Sequence, residues 1–144
     1  MAMVFVSSVI NAPAPEVWTL VRDFNALPAW HPAIAESRIE LNKQPDQIGC
    51  IRNFRLVDGG QIREQLLALS DYEYSVTYSI LDSPMPLHEY VATLRLHPVT
   101  DGNRCFAEWT ARFECAADDE DALVSNIGNN VFQGGFNALK SRFR

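Results

Sequence analysis

The chain has 144 residues, 47% of them hydrophobic and 21% charged, a mix that can bury enough apolar surface to exclude disorder and that fits one domain over 1–144. Twelve basic residues against eighteen acidic ones give a net charge of −6, which speaks against nucleic acid and against an anionic membrane surface as partners. No apolar run reaches the ~18 residues of a membrane span, the N-terminal stretch lacks a basic n-region, and the three scattered cysteines (Cys50, Cys105, Cys115) form no CxxC, so free thiols in a reducing cytoplasm are expected.

Residues 3–11 are β-rich and end at Ala12-Pro13, which predicts a first strand. A helix over about 14–23 follows. Pro15 suits its first turn, Glu16 complements its positive end, and Val17, Leu20, Val21 and Phe24 share one face. Asn25–Pro32, with two prolines and Trp30, reads as a short helical or irregular piece. Six strands are then predicted at 34–42, 48–57, 61–70, 73–81, 87–98 and 103–115, separated by turn-like clusters such as Asp58-Gly59-Gly60 and Ser83–Pro86. The end of the chain opens with four acids from Asp118 and closes with Lys140, Arg142 and Arg144. That polarity predicts one long helix over about 119–142, although Gly128, Gly134 and Gly135 each cost about 1 kcal/mol relative to Ala. The order implies an antiparallel meander whose apolar face the last helix covers.

The Asp58-Gly59-Gly60 turn suggests pairing 56 with 62, or 57 with 61, and both place even-numbered residues on the apolar face. That face carries Phe54, Leu56, Ile62, Leu66 and Ala68, but also Arg52 and Glu64. In this register Phe54 opposes Glu64, with Arg52 as its diagonal neighbour. Two opposite charges on a core-facing surface read either as a structural ion pair or as the polar groups of a ligand cavity. The following strands place Tyr74, Val76, Tyr78 and Ile80 on one face, His88, Tyr90, Ala92, Leu94 and Leu96 on the next, and Cys105, Ala107, Trp109, Ala111 and Phe113 on the last. Small residues mixed with Tyr, His and Trp favour a partly hollow interior over a filled core.

His31, His88 and His97 make no metal-ligand motif, and no phosphate loop, GxGxxG or nucleophile elbow occurs, so neither metal nor cofactor is expected. Glu64 remains as a carboxyl in an apolar setting. Desolvation would raise its pKa and Arg52 would lower it again, which suits either acid–base chemistry or ligand binding.

Several stretches carry a family resemblance. They are IxAPxxxVWxLVRDF at Ile10–Phe24, LPAWHP at Leu27–Pro32, GCIRNFRLVDGGQIREQL at Gly49–Leu66, SPMPLHEY at Ser83–Tyr90, AEWTARF at Ala107–Phe113, and the terminal GGFNALK. In this order and spacing they resemble the START-like, or birch-pollen-allergen-like, superfamily, and within it the bacterial polyketide cyclase/dehydrase (SRPBCC) group. The resemblance implies an α+β helix-grip fold: a seven-stranded curved antiparallel sheet wrapped around a long C-terminal helix, with two short helices after strand 1. It also implies a cavity between sheet and helix for an apolar or amphipathic small molecule. The plant abscisic-acid receptors of the superfamily are similar from Arg52 to Tyr90. By that likeness Val57–Gln61 would act as a gate, Ser83–His88 as a latch, and Glu64 as a pocket glutamate. Their pocket lysine falls near Ala35, so an anchor for a ligand carboxylate is absent.

The expected lining is Trp30, Arg52, Phe54, Glu64, Leu66, Tyr78, His88, Tyr90, Trp109, Ile127 and Val131. Three functions follow: binding of a small hydrophobic or amphipathic ligand; a cyclase or dehydratase with Glu64 as general acid/base and Tyr78 or Tyr90 as hydrogen-bond donor; or a ligand-gated regulatory module. A monomer or homodimer serves any of the three.

Overall fold

A computed structural model describes all of Met1–Arg144. Seven strands form one antiparallel sheet: β1 (Ala2–Ile10), β2 (Ile34–Ile39), β3 (Ile51–Leu56), β4 (Gln61–Ser70), β5 (Ser75–Asp82), β6 (Leu87–Val99) and β7 (Arg104–Cys115). Their order across the sheet is β1-β7-β6-β5-β4-β3-β2, so β2 to β7 run as a meander and β1 returns to pair with β7. Helices α1 (Ala14–Val21) and α2 (Leu27–Trp30) connect β1 to β2. Both carry a proline within their first two positions, where no backbone hydrogen bond is lost.

The last helix begins slightly earlier than the charge pattern predicts. It runs as α3 (Ala117–Ser125), a π-helical segment (Asn126–Phe132) and α4 (Gln133–Arg142). Asp118, Asp119 and Glu120 occupy its first turn and Lys140 and Arg142 its last, as the macrodipole favours. The widened turns are marked by the Gln133 N–H, which donates to the Gly128 carbonyl five residues back. Phe132 stacks on Trp109 of β7 at 4.4 Å and 9°, and Phe136 tilts against the same indole at 5.8 Å. These contacts pin the helix to the inner face of the sheet, where Ile127, Phe132, Phe136 and Leu139 are all buried.

The β3–β4 register is two residues tighter than expected. Arg52 pairs directly with Glu64 and Phe54 with Ile62. The turn closes at Leu56, whose N–H donates to the Gly60 carbonyl, and Asp58 Oδ1 accepts from Gly60 N–H. Gly59 sits between them at a φ of 100°, a conformation that glycine adopts without strain. A slip of two preserves the side-chain faces, so the even-numbered residues still point inward.

The helix glycines serve unequal purposes. A Cβ at Gly135 would lie 3.0 Å from both His31 and Trp109 and 3.1 Å from Trp30, so glycine is what lets α4 approach those three rings. A Cβ at Gly134 would meet only His31, at 4.0 Å. Gly135→Ala is therefore expected to destabilise by about 1–3 kcal/mol through overpacking. Gly134→Ala should gain up to about 1 kcal/mol of helix propensity. Urea unfolding of the two variants checks the opposite signs.

Candidate functional site

Between the inner face of the sheet and the last helix lies a cavity of about 360 Å³. The sheet supplies Arg52, Phe54 and Leu56 from β3, Ile62 and Glu64 from β4, Tyr78 and Ile80 from β5, Tyr90 from β6 and Trp109 from β7. The helix supplies Asn126 and Val131, both from its π-helical segment. The wall is completed by Leu27, His31, Ala33 and Ile34 around α2, and by two turns that contribute Asp58, Pro84, Met85 and Pro86. Those turns lie close together: a Cβ placed at Gly60 would lie 3.5 Å from Pro84 Cγ.

At the centre of the polar part stands the Arg52–Glu64 pair, each residue 6% exposed. Arg52 Nε donates to Glu64 Oε1 at 2.8 Å, and Nη2 lies 2.7 Å from the same oxygen. Arg52 Nη1 donates to the Phe24 carbonyl at 3.3 Å. The guanidinium also packs against two rings, 4.0 Å from the centroid of Phe24 and 4.8 Å from that of Tyr78. Burial pushes the Glu64 carboxyl above its ordinary range, and Arg52, by charge and by hydrogen bond, pulls it back part of the way.

Beside this pair, Trp109 Nε1–H donates to the Tyr78 hydroxyl at 3.0 Å, and the Tyr90 ring lies 6.5 Å from that of Tyr78. Burial and the Glu64 carboxylate both hold the two phenols well above their ordinary pKa, so both keep their protons. His31 closes the other side. Its Nδ1 accepts from Ala33 N–H at 3.2 Å, so its Nε2 carries the proton it donates to the Val131 carbonyl at 2.7 Å. Burial lowers its pKa, the bond to Val131 partly offsets this, and Arg52 adds to the lowering. The site thus offers a neutral imidazole, two protonated phenols and a paired carboxylate around apolar walls. No three His, Cys, Asp or Glu side chains gather as metal ligands, and the three cysteines are free.

Seven of the residues expected to line the cavity do so: Arg52, Phe54, Glu64, Tyr78, Tyr90, Trp109 and Val131. Four stand elsewhere. His88 is exposed, because β6 bulges between His88 and Val91, with Glu89 at a φ of 56°; this turns His88 to the outer face opposite Glu114. Leu66 and Ile127 face inward but are fully enclosed by the core, at 0% and 1% exposed. Trp30 is buried against Trp109 and His31, with ring centroids at 6.0 and 5.9 Å, one layer behind the wall. Residues missed by the strand alternation come from non-periodic segments: Leu27 to Ile34, Asp58, Pro84 to Pro86, and Asn126. The turns are signalled by their proline- and glycine-rich punctuation and, for Asp58 and Pro84–Pro86, by the gate and latch of the resemblance; Asn126, inside the last helix, carries no signal of its own.

Comparison with known proteins agrees with this fold. The family described as "Polyketide cyclase / dehydrase and lipid transport" matches residues 1–144. The abscisic acid receptor PYL7 of Arabidopsis thaliana is 34% identical over 92 residues, which span 62% of this chain but only 42% of the receptor. A solved structure from Thermobifida fusca is 34% identical, with a TM-score of 0.90 over 99% of this chain and 93% of that one. The protein XoxI of Bacillus cereus is 29% identical, with a TM-score of 0.87 over 99% and 96%. Ginseng major latex-like protein 151 of Panax ginseng, at 13% identity and a TM-score of 0.81 over 99% and 97%, shares the fold.

Two expectations follow from the polar groups. Arg52→Leu alone leaves Glu64 buried without its partner and should cost about 3–5 kcal/mol, whereas the double change Arg52→Leu with Glu64→Leu should be close to neutral or stabilising. Denaturant unfolding of the two variants at neutral pH checks this. For His31, the unfolded chain titrates near 6.5 and the folded site below it. As pH falls through that value the unfolded state takes up a proton that the folded state refuses, so stability is full above pH 6.5 and is lost below it. The difference in unfolding free energy between about pH 8 and pH 5 should therefore shrink in His31→Gln.

Proposed function

The chain belongs to the polyketide cyclase/dehydrase and lipid transport family, and from that premise we propose that it binds a small hydrophobic or amphipathic molecule in the cavity between its sheet and its C-terminal helix. One observation carries the reading: the space beside a buried, hydrogen-bonded ion pair is hollow and mostly apolar-walled. An enclosed apolar wall with a few convergent polar groups is the ordinary form of a small-molecule site. In this reading Phe54, Ile62, Ile80 and Val131 supply contact area, Trp109 and the tyrosine rings add aromatic surface, and the Arg52–Glu64 couple fixes the polar end. The turns at Val57–Gly60 and Ser83–Pro86 govern access, since turns rearrange at lower cost than paired strands.

A catalytic role for Glu64 draws on one feature, the upward push of burial on its carboxyl, which brings it closer to the range useful for proton transfer at neutral pH. Glu64→Gln keeps the shape and removes the transferable proton. A reaction that stops in this variant, while ligand is still held, would favour catalysis over carriage.

Native mass spectrometry of the purified protein, followed by thermal unfolding against a panel of lipids and polyketide-like aromatics, tests the binding reading. A retained adduct, or a rise in melting temperature with at least one class, is expected. Ile80→Trp, which fills the cavity from β5, should remove that rise while leaving the circular dichroism of the unliganded protein unchanged. Equal ligand-induced shifts in both proteins would place binding somewhere else.

A further inference from the structure

We infer that the cavity selects uncharged ligands bearing a hydroxyl or N–H donor and turns away carboxylates and sulfonates of the same size. This rests on the ligand-binding reading above and adds the chemical class. Three side chains in the wall are charged: Arg52, Glu64 and Asp58. The single cation among them is already paired with a buried carboxylate. Arg52 Nε donates to Glu64 Oε1, Nη2 lies 2.7 Å from the same oxygen, Nη1 donates to the Phe24 carbonyl, and the rings of Phe24 and Tyr78 lie 4.0 and 4.8 Å from the guanidinium carbon. An anionic ligand would meet Arg52 already neutralised by its buried partner, and would set a second anion beside that carboxylate in the same apolar space. Asp58, on the turn at one end, adds a second negative charge. His31 gives no compensating cation, because its Nδ1 is an acceptor for Ala33 N–H.

The same geometry leaves an acceptor open. Both Arg52 contacts fall on Oε1, and Glu64 Oε2 receives no hydrogen bond from any side chain or backbone N–H of the chain. Glu64 is more than nine-tenths buried and borders the cavity, so the natural complement of Oε2 is a donor brought in by the ligand. An ionised carboxylate acts only as an acceptor. An alcohol, phenol or amide N–H satisfies it, an ether does not, and an acid anion opposes it.

Matched probes test this by fluorescence at about pH 8, where carboxylic acids are ionised. N-phenyl-1-naphthylamine is uncharged and carries an N–H, while 8-anilinonaphthalene-1-sulfonate is the same scaffold with a sulfonate. The amine is expected to bind roughly tenfold tighter or better. In displacement of the amine, 1-decanol should outcompete both decanoate and 1-methoxynonane, an ether of equal length, each by roughly tenfold. Glu64→Gln releases Arg52 and should raise the affinity of the sulfonate and of decanoate. If that variant fails to fold, Arg52→Leu with Glu64→Leu should erase the preference of decanol over the ether. Binding of decanoate or the ether as tight as that of decanol in the parent protein overturns the inference while leaving the binding reading intact. No binding of any probe overturns both.

Discussion

The buried couple of Arg52 and Glu64 is the constraint around which the interior is arranged. Neither charge would be stable alone at 6% exposure, and the pair is held only because β3 and β4 place the two residues directly opposite each other. The register of one hairpin is thereby tied to the electrostatics of the cavity. The tight turn at Gly59 fixes the register, the register fixes the pair, and the pair prevents hydrocarbon from filling that part of the core. The Phe24 carbonyl and the rings of Phe24 and Tyr78 then close around the guanidinium, which links the end of α1 and strand β5 to the same group.

The opposite wall depends on a second junction of the same kind. The π-helical stretch presents the Val131 carbonyl to His31, while Gly135, one turn on, lets α4 settle against Trp30, His31 and Trp109. A single imidazole thus joins the α2–β2 connection to the last helix, and it does so in one tautomer because Ala33 N–H fixes the other nitrogen as an acceptor. Two of the cavity's non-sheet residues, Asn126 and Val131, belong to the wide turns of that helix. Departures from regular helix geometry concentrate where a protein leaves space or holds a ligand, and this one borders the hollow.

How much of this was legible in the residues follows from which features are periodic. Strand alternation with a period of two identified the inward face of β3, β4, β5 and β7, and hence Arg52, Phe54, Glu64, Tyr78 and Trp109 as wall. It survived a register error because a shift of two residues returns every side chain to its own side. It failed at His88, where a bulge interrupts the count and a residue with the right parity points outward. It also could not tell wall from filled core. Leu66 and Ile127 face inward as expected, but the space before them is occupied. Depth along the axis between sheet and helix is set by packing against the last helix, and no one-dimensional pattern encodes it. His31 lay outside any periodic element, so nothing in its neighbourhood indicated that it would reach across to Val131.

The tyrosines show how the polar elements support one another. Tyr78 accepts from the Trp109 indole, so its own proton is free to point elsewhere, and burial together with the Glu64 carboxylate disfavours its ionisation. Burial, reinforced by the carboxylate, keeps both phenols protonated, while Arg52 opposes the burial that pushes the carboxyl itself upward. A wall built this way has large local dipoles and no uncompensated cation, because its one cation is neutralised by its central anion across 2.7 Å. Such an interior can orient a polar group without attracting anions, which suits holding a neutral amphiphile with its polar end inward.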